Sequence, residues 1–540
     1  MMEHKVQLLD CTLRDGAYIV DARFGKAAIK GIIKKLQDAS VDIIECGWLK
    51  NEEHKEGTSF YHVPYDILQY VDKKNHNTTY VTMIDWDRYD LSYLPKNDGK
   101  GIDAIRVVFP YGKHVEGIAV GKEIQKKGYQ IFFQAANTLA YSNAELINLA
   151  RCVNEAHPEC LSIVDTFGAM YEEDLERIVK VLDKELNSEI KLGFHSHNNQ
   201  QLSYALTMQF EKILRSSGRD VIIDSSLCGM GRGAGNTPTE LIVNYLNTRC
   251  NRDLDMNAIM DAIDMYMPYF LENYTWGYST PYFIAGMYCC HVNNIAYLRK
   301  NHRTNSRDMR NIIESLSPAE RKQYDYDLLE RKYLENQSRR VDDEIIMEEL
   351  RAVFENKEVL LIAPGKSIIE KQQQVQAYID EKQPIVVCVN AISELYCCDY
   401  LFLASTTRYD YAKEIYGKQF SKVKKILLSN IKTIPNGDEW IVNFERVVKR
   451  GWEHFDNAVI TCLRLLSKLA VKDIALAGFD TFEHHYNESY ADKALPTINP
   501  DNKWDELNEE ILDMYQDFKR TSGANMNITF ITDSYFNQKS

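Results

Sequence analysis

The chain is short of positive charge, of paired cysteines and of long apolar runs, and each shortage excludes a class of function. Against 64 Lys and Arg stand 78 Asp and Glu, a net charge of −14. Nucleic acids and anionic membranes call for a basic face, so neither is an expected partner. A small anionic substrate stays compatible, because one local Arg can hold it inside an acidic protein. The 12 Cys include no C-x-x-C pair, and the adjacent Cys289-Cys290 and Cys397-Cys398 suit neither a zinc ribbon nor a disulfide framework. They read as small buried residues in a reducing compartment. No apolar run reaches the ~18 residues of a membrane span, and "MMEHKVQLLD" lacks the apolar core of a signal peptide. The expectation is a cytoplasmic protein.

What is present is a repeated pattern. The 540 residues, 45% of them hydrophobic, suffice for two or three domains. Between residue 5 and about 250, eight short apolar runs each end in polar residues and lead toward a helical stretch: "VQLLDCT", "DIIECGW", "YVTMIDW", "AIRVVFP", "QIFFQAAN", "LSIVDTFG", "IKLGFHSH" and "VIIDSSLCG". Strand alternating with helix implies parallel strands, and eight units predict a closed (β/α)8 TIM barrel over residues 1–250. Active sites of such barrels lie at the C-terminal strand ends, where Arg14, Asp15, Glu45, Asp85, Asn137, Asp165, His195 and His197 fall. Residues 251–352 read as a helical extension, through "MNAIMDAIDMYMPYFLENY" and the Ser-Pro start of "SPAERKQYDYDLLERKYLE". From 353 to 540 a second α/β domain, Rossmann-like, is expected. Its apolar runs are "EVLLIAPGKSI", "PIVVCVN", "DYLFLAS", "KKILLSN", "AVITCLRLL" and "DIALAGFD".

The strongest chemical signal is His195-Ser196-His197 closing the seventh run. Alternate strand residues share a face, so both imidazoles can aim at one point. Only strand 8 separates strands 1 and 7 in a closed barrel, so Asp15 can complete a two-histidine, one-carboxylate site. Such N/O ligation suits Mn²⁺, Fe²⁺, Co²⁺ or Zn²⁺, and the spacing does not choose among them. Arg14 and Asp15 on an extended chain would point apart, which leaves Asp15 for the metal and Arg14 for the charge of a bound substrate. In "GMGRGAGNTPTEL" a Gly stands at every second place from 229 to 235, permitting tight turns and close backbone approach. Asn236 after it could cap the next helix or reach the metal shell.

Together "TLRDG", "FHSHNN" and "SLCGMGRGAGN" resemble the signatures of the metal-dependent pyruvate aldolase and HMG-CoA lyase-like superfamily, over about residues 5 to 300. Within it the 4-hydroxy-2-oxovalerate aldolase group is nearest in pattern. The resemblance implies a divalent metal, typically Mn²⁺ with Mg²⁺, Co²⁺ or Zn²⁺ as alternatives, on Asp15, His195 and His197. It implies a small 2-oxo acid substrate, specifically a 4-hydroxy-2-oxo acid cleaved to pyruvate and an aldehyde through a metal-bound enolate that Arg14 stabilises. Thr166 of "VDTFG" then stands where the family has a substrate-binding Ser, and Tyr288 resembles a family tyrosine near the substrate. His195 and Asn236 join Arg14, Thr166 and Tyr288 as substrate contacts. Tyr18 departs from the family, which has a general-base histidine at that place. A phenol near pKa ~10 is a poor base at neutral pH, so Tyr18 is left to donate a hydrogen bond, relay a proton or pack against substrate. Two alternatives stay open: an acyl-CoA condensing enzyme of the isopropylmalate synthase type, and a nucleotide-sugar-binding or transferring protein. The second arises because the C-terminal order "IAPGKS … VCVN … DYLFLAS … LAGFD" resembles the Rossmann-like domain of bacterial sialyltransferases and motility accessory proteins. That likeness implies a cofactor or nucleotide site near Gly365, Lys366, Ser367 and Asn390, the rival role being assembly. "EHHY" at Glu483 to Tyr486 reads as a solvated loop, and a homodimer stays open.

Overall fold

The computed structural model describes residues 4–302, 304–337, 341–432, 437, 439–452, 454–483, 486–496 and 504–538. His484 and His485 of "EHHY" lie outside them. The chain forms two compact units, Met1–Ile295 with Ser317–Gln323, and Ala296–Leu316 with Tyr324–Ser540. The helical stretch between the two sheets is thus shared out between the units.

The first unit is a closed barrel of eight parallel strands: Val6–Asp10, Ile43–Leu49, Thr79–Asp85, Ala104–Phe109, Gln130–Ala135, Cys160–Asp165, Lys191–Ser196 and Val221–Ser225. Strand 1 closes it by pairing with strand 2 through Leu9↔Ile43 and with strand 8 through Val6↔Val221 to Asp10↔Ser225. Each run named from the sequence is a strand, but two lack the expected helix. Strand 2 is followed by a 3-10 turn, Pro64–Gln69, and strand 3 by a loop. Pro64 between strands 2 and 3, and Pro95, Gly99 and Gly101 after strand 3, interrupt any helical repeat there. Lys26–Asp38, His114–Gln125, Asn143–Asn154, Glu172–Glu185, Ser203–Ser217 and Thr239–Arg249 supply the other helices.

Strand parity sorts the barrel's contents. One set of alternate residues, including Leu8, Ile44, Ile105, Phe133, Ile163 and Phe194, packs outward in the main core cluster. The other set points inward in layers. Its lowest layer is apolar, a separate cluster containing Leu9, Ile43, Val81, Ala104, Phe132, Cys160 and Ile222. Two residues further along the same strands come Glu45, Arg106, Gln134, Ser162 and Asp224, all buried. The barrel is therefore greasy at its base and polar toward its C-terminal mouth.

The second unit carries seven parallel strands in the spatial order Trp440–Val442, Lys424–Leu428, Tyr400–Leu403, Ile385–Val389, Glu358–Ile362, Asp473–Ala477 and Asn527–Phe530. Five of the six apolar runs read from the sequence are strands. "AVITCLRLL" is instead a helix, Ala458–Lys468, started by the Asn457 side chain accepting from the Val459 and Ile460 N–H groups. Val459 through Leu466 are all buried, Thr461 and Arg464 among them, so no solvent-facing side marks the helical period in the short run.

Candidate functional site

"TLRD" is one turn of helix, Thr12–Asp15, and not an extended strand end. This corrects the premise that Arg14 and Asp15 point apart: Arg14 Nη1 donates to Asp15 Oδ1 at 2.7 Å. Arg14 Nε also donates to Glu45 Oε2 at 2.8 Å, and that oxygen accepts from Arg106 Nη1 at 2.8 Å. Arg106 Nη2 reaches Asp224 Oδ2 at 2.5 Å, and the same oxygen meets His195 Nδ1 at 3.0 Å. A buried ladder of alternating charge thus runs Arg14–Glu45–Arg106–Asp224–His195 through the polar layer. Its Arg14 Nη2 end makes no hydrogen bond among the described residues.

The ladder decides which imidazole nitrogen is available. His195 donates from Nδ1 to Asp224, and His197 from Nδ1 to the Asp165 carbonyl at 3.0 Å, so both present Nε2 to the mouth. Both Nε2 atoms are buried without a hydrogen-bond partner. They lie 3.8 and 3.5 Å from Asp15 Oδ2, and the three donor atoms fall within 4.8 Å of one another. Two orphaned, buried imidazole nitrogens beside a carboxylate have an unmet need for a cation. The donor set fits a divalent metal, with Asp224 as the carboxylate that orients a ligating histidine. Desolvation alone would raise the Asp15 carboxyl, but Arg14, His197 and His195 hold it well below the usual range. Burial pushes the His195 imidazole down, against the upward pull of Asp224, which favours the neutral ligand form.

The surrounding loops are built for close approach. A Cβ on Gly231 would lie 2.8 Å from Asp15 Oδ2 and 2.5 Å from Asn236 Nδ2, so no side chain fits between that loop and the carboxylate. Asn236 Nδ2 donates to Asp15 Oδ2, which puts Asn236 beside the metal ligand. It does not cap the following helix, whose N-cap is Pro238. A register shift between Glu45 and Trp48 changes the inward parity, and Trp48 turns into the mouth while its Nε1 donates to the Arg14 carbonyl at 3.2 Å.

A cavity of about 180 Å³ opens over these groups. It is lined by Arg14, Asp15, His195, His197, Thr166 and Tyr18, with Trp48, Asp85, Gln134 and Arg232 among the others. Thr166 Oγ1 accepts from the Asn137 N–H at 2.6 Å. Tyr18 is 48% exposed, packs edge-on to Trp48 at 5.9 Å and lies under the Arg232 guanidinium at 4.9 Å. Desolvation of the hydroxyl pushes the phenol up against the opposing pull of Arg232 and Arg14, a push that the half-exposed side chain moderates.

Other strand-end residues do different work. Glu45 belongs to the ladder below, and the Asp165 carboxylate accepts from the Ala169 and Met170 N–H groups at 2.9 and 3.1 Å. Tyr288 ends the helix Thr280–Met287 beneath the Arg321 guanidinium, outside the cavity lining. In the second unit Lys366 pairs with Glu483 at 2.8 Å, and Ser367 gives both its N–H and its hydroxyl to Asp480. Gly365 and Asn390 line a cavity of about 120 Å³ at the ends of Glu358–Ile362 and Asp473–Ala477, where Lys366 and Ser367 take no part.

Arg106, Asp224 and Arg232 were not singled out from the sequence. The first two did leave a signal: a charge inside the apolar runs "AIRVVF" and "VIIDS" must find a partner in the barrel interior.

Fold and site together define a closed parallel barrel with two histidines and one carboxylate at its C-terminal mouth, a donor set that could hold a metal ion. Residues 115–265 match the HMGL-like family model. The chain is 26% identical over 280 residues to a 4-hydroxy-2-oxovalerate aldolase of Pseudoalteromonas translucida, covering 49% of this chain and 76% of that protein. It is 24% identical over 264 residues to an oxaloacetate decarboxylase of Mycobacterium tuberculosis, covering 47% and 74%. A solved N-terminal aldolase domain from Bacteroides vulgatus aligns at 24% identity and TM-score 0.46, over 54% of this chain and 95% of that one. No described helix is long and apolar enough to cross a membrane.

Proposed function

We propose that the barrel is a divalent-metal-dependent aldolase that splits a 4-hydroxy-2-oxo acid into pyruvate and an aldehyde. The observation that carries this reading is the convergence of two orphaned Nε2 atoms and the Asp15 carboxylate beside the uncommitted Nη2 of Arg14. When bound, a divalent cation supplies Lewis acidity toward the carboxylate and keto oxygens of a pyruvoyl group. Arg14, fixed by Glu45 and Asp15, offers Nη2 to the negative charge that grows as the C3–C4 bond breaks and its electron pair passes into the pyruvate enolate. The aldehyde forms as the 4-hydroxyl gives its proton to water, and the enolate takes one back from water at C3 to become pyruvate. Tyr18 is unsuited to take that proton at neutral pH, because a phenol with an ordinary pKa near ~10 is already protonated there and its phenolate is scarcely populated. The Thr166 hydroxyl, presented at the end of strand 6, is placed to bind a substrate oxygen.

The test is direct. Metal-loaded protein given racemic 4-hydroxy-2-oxo acids should release pyruvate, read by a lactate dehydrogenase couple, and lose that activity on chelation. Release of coenzyme A from acetyl-CoA and a 2-oxo acid, with no pyruvate from hydroxy-oxo acids, would favour the condensing alternative.

A second reading concerns the C-terminal unit alone. Its strand order reverses between Glu358–Ile362 and Asp473–Ala477, and parallel sheets bind ligands in the crevice at such a point. The cavity lined by Gly365, Asn390, Ser405 and Asn457 occupies that position, which supports a small-ligand role such as nucleotide-sugar binding. Calorimetric titration with a nucleotide sugar tests it, and no heat with any of them would leave assembly as the role.

A further inference from the structure

Arg232 is a cation of the barrel mouth that forms no ion pair among the described residues. Arg14 and Arg106 each face two carboxylates, at 2.7 and 2.8 Å and at 2.8 and 2.5 Å. Arg232 lines the same cavity, yet among the described residues no carboxylate lies within ion-pair distance of it. It is nevertheless held in place. Its Nη2 donates to Asn293 Oδ1 at 2.7 Å and meets His291 Nε2 at 3.1 Å. Burial, with Arg232 adding to it, pushes the His291 imidazole down to about 3, so His291 accepts as a neutral ring. The guanidinium lies over the Tyr18 ring at 4.9 Å, a cation–π contact that orients it further. On the backbone side, the Gly235 N–H donates to the Arg232 carbonyl at 3.1 Å.

Neutral acceptors and an aromatic face fix the direction of a charge without cancelling it. Nε and Nη1 carry no hydrogen bond among the described residues. Among the described residues the other carboxylate of the lining besides Asp15 is Asp85, which pairs with Arg88 at 3.6 Å and feels the charge of Arg232 without lying within ion-pair distance of it. Under the proposed aldolase reading, on which this step rests, Asp15, His195, His197 and Arg14 take the pyruvoyl end. The oriented cation beside Tyr18 is then left for the other half of the substrate.

We infer that Arg232 anchors an anionic group on the aldehyde half, so that the substrate is a 4-hydroxy-2-oxo acid bearing a second acidic group beyond C4. A carboxylate and a phosphate share this chemistry, since both accept the paired N–H groups of a guanidinium. An uncharged aldehyde would leave the cation without a counter-charge in the occupied cavity.

The experiment uses metal-loaded full-length protein. Exchange of pyruvate methyl protons with deuterated water first establishes that the pyruvate half operates. Condensation of pyruvate is then measured with glyoxylate, succinic semialdehyde and glyceraldehyde 3-phosphate, and with acetaldehyde and propanal. The anionic aldehydes should give the higher kcat/KM, and the better of the carboxylate and phosphate arms identifies the group. In Arg232→Gln the ratio of anionic to uncharged kcat/KM should fall about 10- to 100-fold, the scale of one charge-assisted contact, and Arg232→Lys should recover part of it. An unchanged ratio in Arg232→Gln overturns the inference. If that variant does not fold, Asn293→Ala, which removes only an acceptor that orients Nη2, should lower the ratio in the same direction, and no change there overturns it equally. A wild-type protein that condenses only uncharged aldehydes leaves the aldolase reading standing and removes this inference. One that exchanges pyruvate protons but condenses neither class ends the aldolase reading, and this inference with it.

Discussion

Replacing Asp224 with Asn separates two roles of the buried ladder, holding the barrel together and presenting His195 to a metal. The Asp224 carboxylate is 2% exposed and one of its oxygens takes both Arg106 Nη2 and His195 Nδ1. Asparagine keeps the shape and one acceptor but leaves Arg106 with a single counter-charge, Glu45 at 2.8 Å. Breaking a buried pair costs about 3–5 kcal/mol when the survivor is stranded, and the retained Glu45 places this loss near about 3. A metal-binding histidine deprived of its orienting carboxylate should lose about 10- to 100-fold in affinity. Calorimetric Mn²⁺ titration reads the second quantity, and thermal unfolding of the metal-free protein reads the first. Glu45→Gln is the control: it also breaks the ladder but leaves the His195–Asp224 contact, so it should lower stability comparably and metal affinity less. The pH dependence has a definite sign. Burial alone would raise the Asp224 carboxyl, yet Arg106 and His195 bring it below its usual value. A depressed folded pKa stabilises above the unfolded value near about 3.9 and is lost as pH falls through the folded value, so the gap between wild type and Asp224→Asn should close in acid. Equal metal affinity in wild type and Asp224→Asn, or equal losses of metal affinity in the two variants, would refute the assignment of Asp224 to the metal site.

Three further outcomes are expected. His195→Ala and His197→Ala should each lose the bound metal in elemental analysis, and full retention by both would move the site elsewhere. Arg14→Lys, which keeps a charge but loses the fork that holds Glu45 and Asp15, should slow pyruvate formation about 10²–10³-fold while metal stays bound; near-wild-type turnover would remove Arg14 from the mechanism. Wild-type protein should exchange pyruvate methyl protons slowly and Tyr18→His faster, since an imidazole near pKa ~6.5 suits neutral pH. Exchange abolished in Tyr18→Phe, with metal and pyruvate still bound, would show that the phenol itself moves the proton.

The barrel was legible because each strand is a short apolar run with a polar end, and its metal residues because they sit at those ends. What stayed hidden had local causes. The tight helical turn Thr12–Asp15 reverses the expected relation of Arg14 to Asp15, and nothing in "TLRD" announces a helix of four residues. The turn Pro64–Gln69 and the loop after strand 3 replace helices because Pro and Gly interrupt the pattern, a signal the repeat count overrode. Arg232 could not be placed at all. Its significance depends on Asn293 and His291, about sixty residues away in sequence, and on the absence of a carboxylate that only three dimensions reveal.

Tyr18 and Arg232 are best understood together. Where the resembling family has a histidine that takes protons, this chain has a phenol whose ring lies beneath a guanidinium, and that pairing changes what the position can do. The ring face supports the cation, as an imidazole competing for protonation beside a fixed positive charge would not: a neighbouring like charge lowers a histidine's pKa, as it does at His291. A histidine at 18 would thus be a weaker base here than in a mouth without Arg232. The phenol and the guanidinium are therefore coupled through the contact at 4.9 Å. Under the aldolase reading, proton transfer would pass to water or another group, and Arg232 would orient a charge toward the incoming aldehyde. The double variant Tyr18→His with Arg232→Gln should consequently exchange pyruvate protons faster than Tyr18→His alone. Equal rates in the two would separate the residues and leave Tyr18 as packing against Trp48.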